Sequence, residues 1–264
     1  MAIWSKQVED RAGTFRSRVN SWGLGALGLF VGIALWEFIG RDADGTTFAS
    51  FTSMAERFIE IFRDGSLPDA LVSTAAVYIV GLLAALAVGV TMGLLMARVR
   101  LLRVGLEDYL AALYATPMVA LIPFILAILG FGYVPKVVVV FLFAVFPVLL
   151  NTVEGARSVS PELLDVARAY RSNERQQWLD IIIPYTLPYT MSGVRQSIAR
   201  GLVGAIAAEF LLSSDGVGQL IILSTQRADA AGVLAAVAVV TLIGVGLMGL
   251  GRALESKFAV WRVN

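Results

Sequence analysis

The sequence predicts an all-α integral membrane protein with about six transmembrane helices. The 264 residues are 58% hydrophobic and 16% charged, whereas soluble domains carry about a quarter charged residues. The apolar residues are gathered into blocks that match the ~20 helical residues needed to cross a hydrocarbon core of about 30 Å. No block alternates polar and apolar residues with period two, so a membrane barrel is excluded.

The expected spans are 22–40, 71–97, 105–130, 134–153, 190–212 and 232–250. The first is too long for the apolar region of a cleavable signal and lacks a small-residue cleavage site, so it reads as a retained span. Residues 48–64 carry Phe48, Phe51, Met54, Phe58, Ile61 and Phe62 on a helical stripe opposed by Glu56, Arg57, Glu60 and Arg63. That is a surface-lying or bundle-packed amphipathic helix. Pro117 and Pro123 are expected to kink the third span. The fourth contains Val137-Val138-Val139-Val140, a strand former by propensity. Its length and apolar flanks favour a helix, whose backbone bonds are satisfied internally. Residues 213–219, Ser-Ser-Asp-Gly-Val-Gly-Gln, are turn formers and predict a short hairpin between the fifth and sixth spans.

Basic residues set the expected orientation. Lys6, Arg11, Arg16 and Arg18 precede the first span, and Arg98, Arg100 and Arg103 follow the second. Arg157, Arg168, Arg171 and Arg175 follow the fourth, and Arg252, Lys257 and Arg262 close the chain. The alternate connections are poorer in basic residues. Both termini are therefore expected in the cytoplasm: an arm over 1–21, a membrane domain over 22–255 with a cytoplasmic loop at 154–189, and a tail over 256–264. The chain has no cysteine and no histidine, which removes disulfides, thiolate metal sites and the commonest general base. No catalytic residue, metal site or nucleic-acid partner is expected.

The 154–189 loop is the most informative stretch. Ser160 is a candidate N-cap, with Pro161 at the first helical position and Glu162 complementing the dipole. This helix should end near Tyr170 to Ser172. Asn173 and Gln176 can cap a second helix, before Pro184 and Pro188 break the chain. Two short amphipathic helices in such a loop suit docking in a groove on a partner protein.

The loop resembles the cytoplasmic "EAA" loop of ATP-binding cassette importer permeases, near the branch serving sulfonates, taurine and nitrate. Ala115-Thr116-Pro117-Met118-Val119-Ala120-Leu121-Ile122-Pro123-Phe124, leading to Gly130-Phe131-Gly132, resembles that branch's third span. Ala208-Glu209-Phe210 with Gly216-Val217-Gly218-Gln219-Leu220-Ile221 resembles its fifth span and hairpin. The likeness covers roughly residues 70–255. Asp165-Val166-Ala167 stands where the family has Glu-Ala-Ala, Arg171 where it has glycine, and Ile183-Pro184 where it has Leu-Pro. An arginine at that turn leaves two alternatives: an ordinary negative φ, or a strained left-handed residue.

The resemblance implies a type I importer fold in which two transmembrane subunits, identical or homologous, enclose a pathway. It implies two cytoplasmic ATPase subunits and an extracytoplasmic solute-binding protein as partners. ATP and Mg would sit on the ATPase, because this chain has no phosphate-binding Gly-x-x-x-x-Gly-Lys-Ser/Thr loop; no cofactor is expected here. By the same resemblance Glu162, Asp165, Val166, Ala167, Arg168, Arg171 and Pro184 are the ATPase-docking candidates.

Thr116, Pro117, Pro123, Arg200 and Glu209 are pathway candidates. For Glu209, a gate residue and a structural hydrogen-bond partner of a neighbouring helix are equally good readings. Arg195 can snorkel to the interface, whereas Arg200 lies deeper, as an ion-pair or anion-attracting position. The glycines at 81, 89 and 93, and at 244, 246, 249 and 251, permit close helix packing. An ion-coupled secondary transporter and a non-transporting scaffold remain alternatives. The first would require ionisable residues in several spans and usually an inverted repeat.

Overall fold

The computed structural model describes residues 23–42, 45–212 and 215–258. The expected N-terminal arm (1–21), the last six residues of the tail and part of the 213–219 turn lie outside the described residues. The described elements are all helical: α1 (Gly23–Arg41), α2 (Phe51–Arg63), α3 (Ser66–Arg98), α4 (Arg100–Ala115), a 3₁₀ turn (Met118–Leu121), α5 (Ile122–Leu129) and α6 (Tyr133–Arg157). There follow α7 (Pro161–Ala169), α8 (Glu174–Gln176), a π-helical turn (Gln177–Ile182), α9 (Ile183–Leu212), α10 (Val217–Gln226) and α11 (Ala230–Phe258).

Among the described residues, four helices are long and apolar enough to cross a membrane, α1, α3, α6 and α11, and the broken pair α4–α5 makes up to five. That pair corrects the expectation of one kinked span over 105–130. Its two halves meet at 93°, because Pro117 bars its neighbour Thr116 from the helical region. Thr116 is extended at ψ 134° and Pro117 at ψ 100°. Pro123 bends nothing; it sits in the first turn of α5, where its missing N–H is not needed. The valine run lies inside α6, as its length predicted. α9 has 30 residues but is not among the four apolar helices, since Arg195 and Arg200 fall in its middle.

The chain divides into two compact units, one comprising residues up to Ile61 with Ser224–Ala235, the other Phe62–Leu223 with residues from Ala236 onward. In the first, Trp36 of α1 donates from Nε1 to the Ala49 carbonyl at 3.0 Å and meets the Phe51 ring edge-on at 5.6 Å. Glu37 accepts from the Thr52 N–H at 3.0 Å, and Ser50 Oγ caps α2 by accepting from the Ser53 N–H at 3.1 Å. Such a cap stabilises a helix by about 1 kcal/mol. Arg57 of α2 pairs with Asp229 at 2.8 Å, and Asp229 also accepts from the Gly232 N–H at 2.8 Å. Glu60, then Asp229, hold the Arg57 guanidinium above the ordinary arginine range.

In the second unit α6 lies between α3 and α9. Gly81, Gly89 and Gly93 of α3 face Val140, Val148 and Thr152 of α6. A Cβ at Gly81 would stand 2.6 Å from the Val140 Cβ, and one at Gly93 2.8 Å from that of Thr152. On the other side of α6, a Cβ at Gly193 of α9 would stand 2.8 Å from the Val148 Cα. Hydrogen bonds supplement this contact: Ser197 Oγ donates to the Ala144 carbonyl at 2.6 Å, Tyr78 donates to the Ile198 carbonyl at 3.0 Å, and the Thr152 and Thr190 hydroxyls lie 3.1 Å apart. Between membrane helices such packing and bonding replace the hydrophobic driving force.

The expected glycine stripe on the last span behaves differently. Among the described residues nothing lies within 4 Å of a Cβ added at Gly246 or Gly249, whereas one at Gly244 would meet Leu202 at 3.4 Å and one at Gly251 would meet Arg195 at 3.2 Å. Gly89→Leu should therefore lower the stability of the detergent-purified chain by ~1–3 kcal/mol through overpacking, while Gly246→Leu should shift it by less than ~0.5 kcal/mol. Thermal melts of the two variants check this; equal losses would show that α3 and α6 are not in backbone-close contact.

Candidate functional site

Two regions bring the candidate residues together. The first is the loop after α6. Ser160 caps α7, its Oγ accepting from the Leu163 N–H at 3.3 Å, with Pro161 in the first turn. The helix ends in a Schellman motif: the Arg171 N–H bonds the Arg168 carbonyl at 2.8 Å and the Ser172 N–H bonds the Ala167 carbonyl at 3.0 Å. This geometry requires a left-handed residue after the helix, and Arg171 occupies it at φ 60°. Of the two alternatives for Arg171, the strained one is realised. Asn173 and Gln176 then form a reciprocal capping box that starts α8.

Pro184 and Pro188 do not break the chain, contrary to expectation. The helix runs on from α8 through the π turn into α9, with Pro188 inside it. The π turn immediately precedes Ile183-Pro184. Its wider hydrogen-bonded ring shifts the carbonyl register ahead of the proline, removing the clash a regular turn would impose. The second short helix is thus the leading end of α9 rather than a separate element.

Ala167 is buried, while Glu162, Asp165, Arg168, Arg171 and Pro184 are exposed. Asp165 pairs with Arg168 at 2.9 Å. The outer side of the loop is not wholly polar: Leu163 is 41% exposed, Val166 54% and Tyr170 83%. At i, i+3 and i+7 these three side chains form one apolar stripe. Two ion pairs tether the loop's ends, Arg157 to Glu107 of α4 at 3.0 Å and Glu174 to Arg98 of α3 at 3.2 Å. Exposed pairs contribute ~0–1 kcal/mol each, so the caps do most of the positioning.

The second region surrounds the start of α10, a helix absent from the expected hairpin. Its turn-forming sequence signal hid a 10-residue helix. Glu209 is fully buried, its Oε2 accepting from the Gly218 N–H at 2.8 Å. Thr74 of α3 accepts from the neighbouring Val217 N–H at 2.9 Å. A Cβ on Gly216 would overlap the Glu209 carboxylate; only glycine admits it, and Gly216 is left-handed at φ 99°. Nearby, buried Lys136 meets Asp215 at 2.6 Å, and Asp215 also accepts from Ser73 at 2.7 Å. Sequence reasoning did not single out Lys136, and it read Asp215 only as part of the 213–219 turn. Glu209 is thus enclosed by this chain's own residues.

The remaining pathway candidates are separate from this cluster. The Thr116 hydroxyl donates back to the Ala112 carbonyl at 2.9 Å. Arg195 is not simply snorkelling; it pairs with Glu255 of α11 at 3.2 Å. Arg200 lies on an exposed face of α9 with its guanidinium 5.2 Å from the Tyr114 ring centroid, within cation–π range.

Relief of left-handed strain gives a direct check on the α7 terminus. Arg171→Gly should stabilise the motif by ~1 kcal/mol, raising protection of the Ser172 amide about fivefold in hydrogen exchange. Arg171→Val should lower it. Unchanged or reduced protection in the glycine variant would show that the arginine side chain stabilises the turn by more than the strain costs.

Residues 85–260 match the family model described as "Binding-protein-dependent transport system inner membrane component". A protein named as an aliphatic sulfonates transport permease in Bacillus subtilis (strain 168) is 30% identical over 243 residues, 91% of this chain and 88% of that one. A nitrate import permease of Synechocystis sp. is 29% identical over 171 residues, 65% of this chain and 60% of that one. A solved structure of the MetNI methionine transporter in an inward-facing conformation aligns at a TM-score of 0.60 and 15% identity, over 70% of this chain and 93% of that one; this shows a shared fold. The chain belongs to the binding-protein-dependent inner membrane component family, the permease subunits of ATP-binding cassette importers, which are membrane transporters and not enzymes.

Proposed function

We propose that this subunit imports a small anionic or aromatic organic solute, driven by ATP hydrolysis on a separate ATPase that docks on α7. The exposed Leu163–Val166–Tyr170 stripe carries this reading. It is held rigid by a cap at each end, flanked by Glu162, Asp165 and Arg168, and presented away from the protein's own core. A capped amphipathic helix with an uncovered apolar stripe is built to enter a groove on a partner. Nucleotide and Mg belong to that partner. The loop and both termini face the cytoplasm, following the basic residues. α4–α5 counts as a broken third span and α9 as the fifth, for six in all.

Pathway residues follow from the surface left uncovered. α4 buries none of its side chains, and α9 turns Gln196, Arg200, Val203 and Phe210 outward. A second transmembrane subunit, the same chain or a homologue, fits against these faces with the pathway between. Arg200 places a cation there, deep in a span, where an unpaired charge is costly unless it meets water or an anion. The sulfonate and nitrate transport named for two relatives is consistent with an anionic solute. An extracytoplasmic binding protein delivers it.

Asp165→Lys should leave the helices inserted but reduce solute-stimulated ATP hydrolysis about tenfold or more, the effect of losing ~1.4 kcal/mol of docking. The measurement uses the complex of this chain with its ATPase in proteoliposomes. Normal stimulation in the variant would exclude α7 as the coupling element.

A further inference from the structure

We propose that a groove between the end of α3 and the α8–π turn binds an anionic phospholipid. The groove has a volume of 590 Å³, within the range of about 300–1,000 Å³ typical of ligand sites. Val90 and Leu94 of α3 and Leu179 and Ile183 of the opposing segment line its apolar part, and Arg98 and Arg175 stand at its rim. Leu179 is half exposed, so the apolar walls remain uncovered by the chain itself.

Depth identifies the occupant. α3 is 33 residues long and ends at Arg98. At 1.5 Å per residue it measures about 50 Å, more than the hydrocarbon core of about 30 Å and comparable to a whole bilayer with its headgroups. Its last turns therefore lie among headgroups, and Val90 lies about 12 Å deeper than Arg98. A ligand filling the groove must be apolar at depth and anionic at the rim. A phospholipid has that shape, whereas a soluble anion has no use for the apolar walls.

The rim carries one cation in excess. Arg98 pairs with Glu174 at 3.2 Å and lies 5.9 Å from the Trp178 ring centroid, an arrangement that fixes the guanidinium in place. Arg175 has no side-chain partner among the described residues and is exposed. Trp178 stands where interfacial tryptophans sit at headgroup level. The π turn supplies the geometry: its widened register, forced ahead of Pro184, carries Trp178 and Leu179 opposite α3. Basic pockets between spans are the usual form of a lipid headgroup site. The proposal requires only that α3 spans the membrane, and it is independent of ATPase docking.

Native mass spectrometry of the full chain, titrated in mild detergent with phosphatidylglycerol or with phosphatidylcholine of the same acyl chains, tests it. The wild-type chain should prefer phosphatidylglycerol by about fivefold or more, the effect of an uncompensated basic residue at an anionic site. Arg98→Gln with Arg175→Gln should abolish the preference, and Arg98→Lys with Arg175→Lys should keep most of it. Inorganic phosphate should not displace the bound lipid. No preference in the wild-type chain, a preference surviving in the glutamine variant, or ready displacement by phosphate would each overturn the proposal; the last would mark a soluble-anion site. If the glutamine variant loses helicity, the wild-type preference, the lysine variant and the phosphate competition decide the matter.

Discussion

The structure depends on how closely α3 and α9 approach α6. Lipid is as apolar as leucine, so burying side chains between helices gains little in a bilayer, and association rests on close packing and hydrogen bonds. Gly81, Gly89 and Gly93 remove the side chains that would keep α3 away from α6. Gly193 and Gly204 do the same for α9. Once the backbones are this close, the short hydroxyls of Ser197 and Thr190 reach partners on α6. Longer polar side chains are unnecessary, and α9 can carry Arg195 and Arg200 because its other faces are held by protein.

The two ends of the bundle are organised differently. At one end, the first N–H groups of α10 bond the Thr74 hydroxyl of α3 and the Glu209 carboxylate of α9. Three helices are thereby tied through a single helix start, with the Lys136–Asp215 pair alongside. At the other end, α7 is defined by local chemistry: a serine cap, a proline in the first turn, and a Schellman stop. A loop fixed by its own caps can present apolar side chains outward without collapsing onto the bundle. That property is what a docking element needs.

Local and long-range features differed in how legible they were in the sequence. The first, second, fourth and sixth spans, the caps at Ser160 and Asn173, and the glycines of α3 were readable because each depends on periodicity or on neighbours within four residues. The family resemblance was readable from the loop and from Ala115–Phe124. The 93° break at Pro117 was underestimated as a kink, since proline alone does not say whether tertiary contacts restore the helix. At Pro184 and Pro188 the opposite error arose: both prolines lie within helix, and at Pro184 the π turn just before it admits the ring, a local register change that the breaker rule does not foresee. α10 and the pairing of Lys136 with Asp215 were hidden for another reason. Lys136 and Asp215 are 79 residues apart in the chain and Val217 is 143 residues from Thr74, and Gly216–Gly218 signals a turn whether or not a helix follows.

The central claim is that α7 is a cytoplasmic docking helix for a separate ATPase. Because the chain has no cysteine, a single Val166→Cys substitution reports on it directly. In membrane vesicles, a membrane-impermeant maleimide should label this position in inside-out but not right-side-out preparations. Adding the ATPase should suppress the labelling, and dissociating it should restore it. Labelling from the outside of intact cells, or undiminished labelling in the assembled complex, would contradict the account.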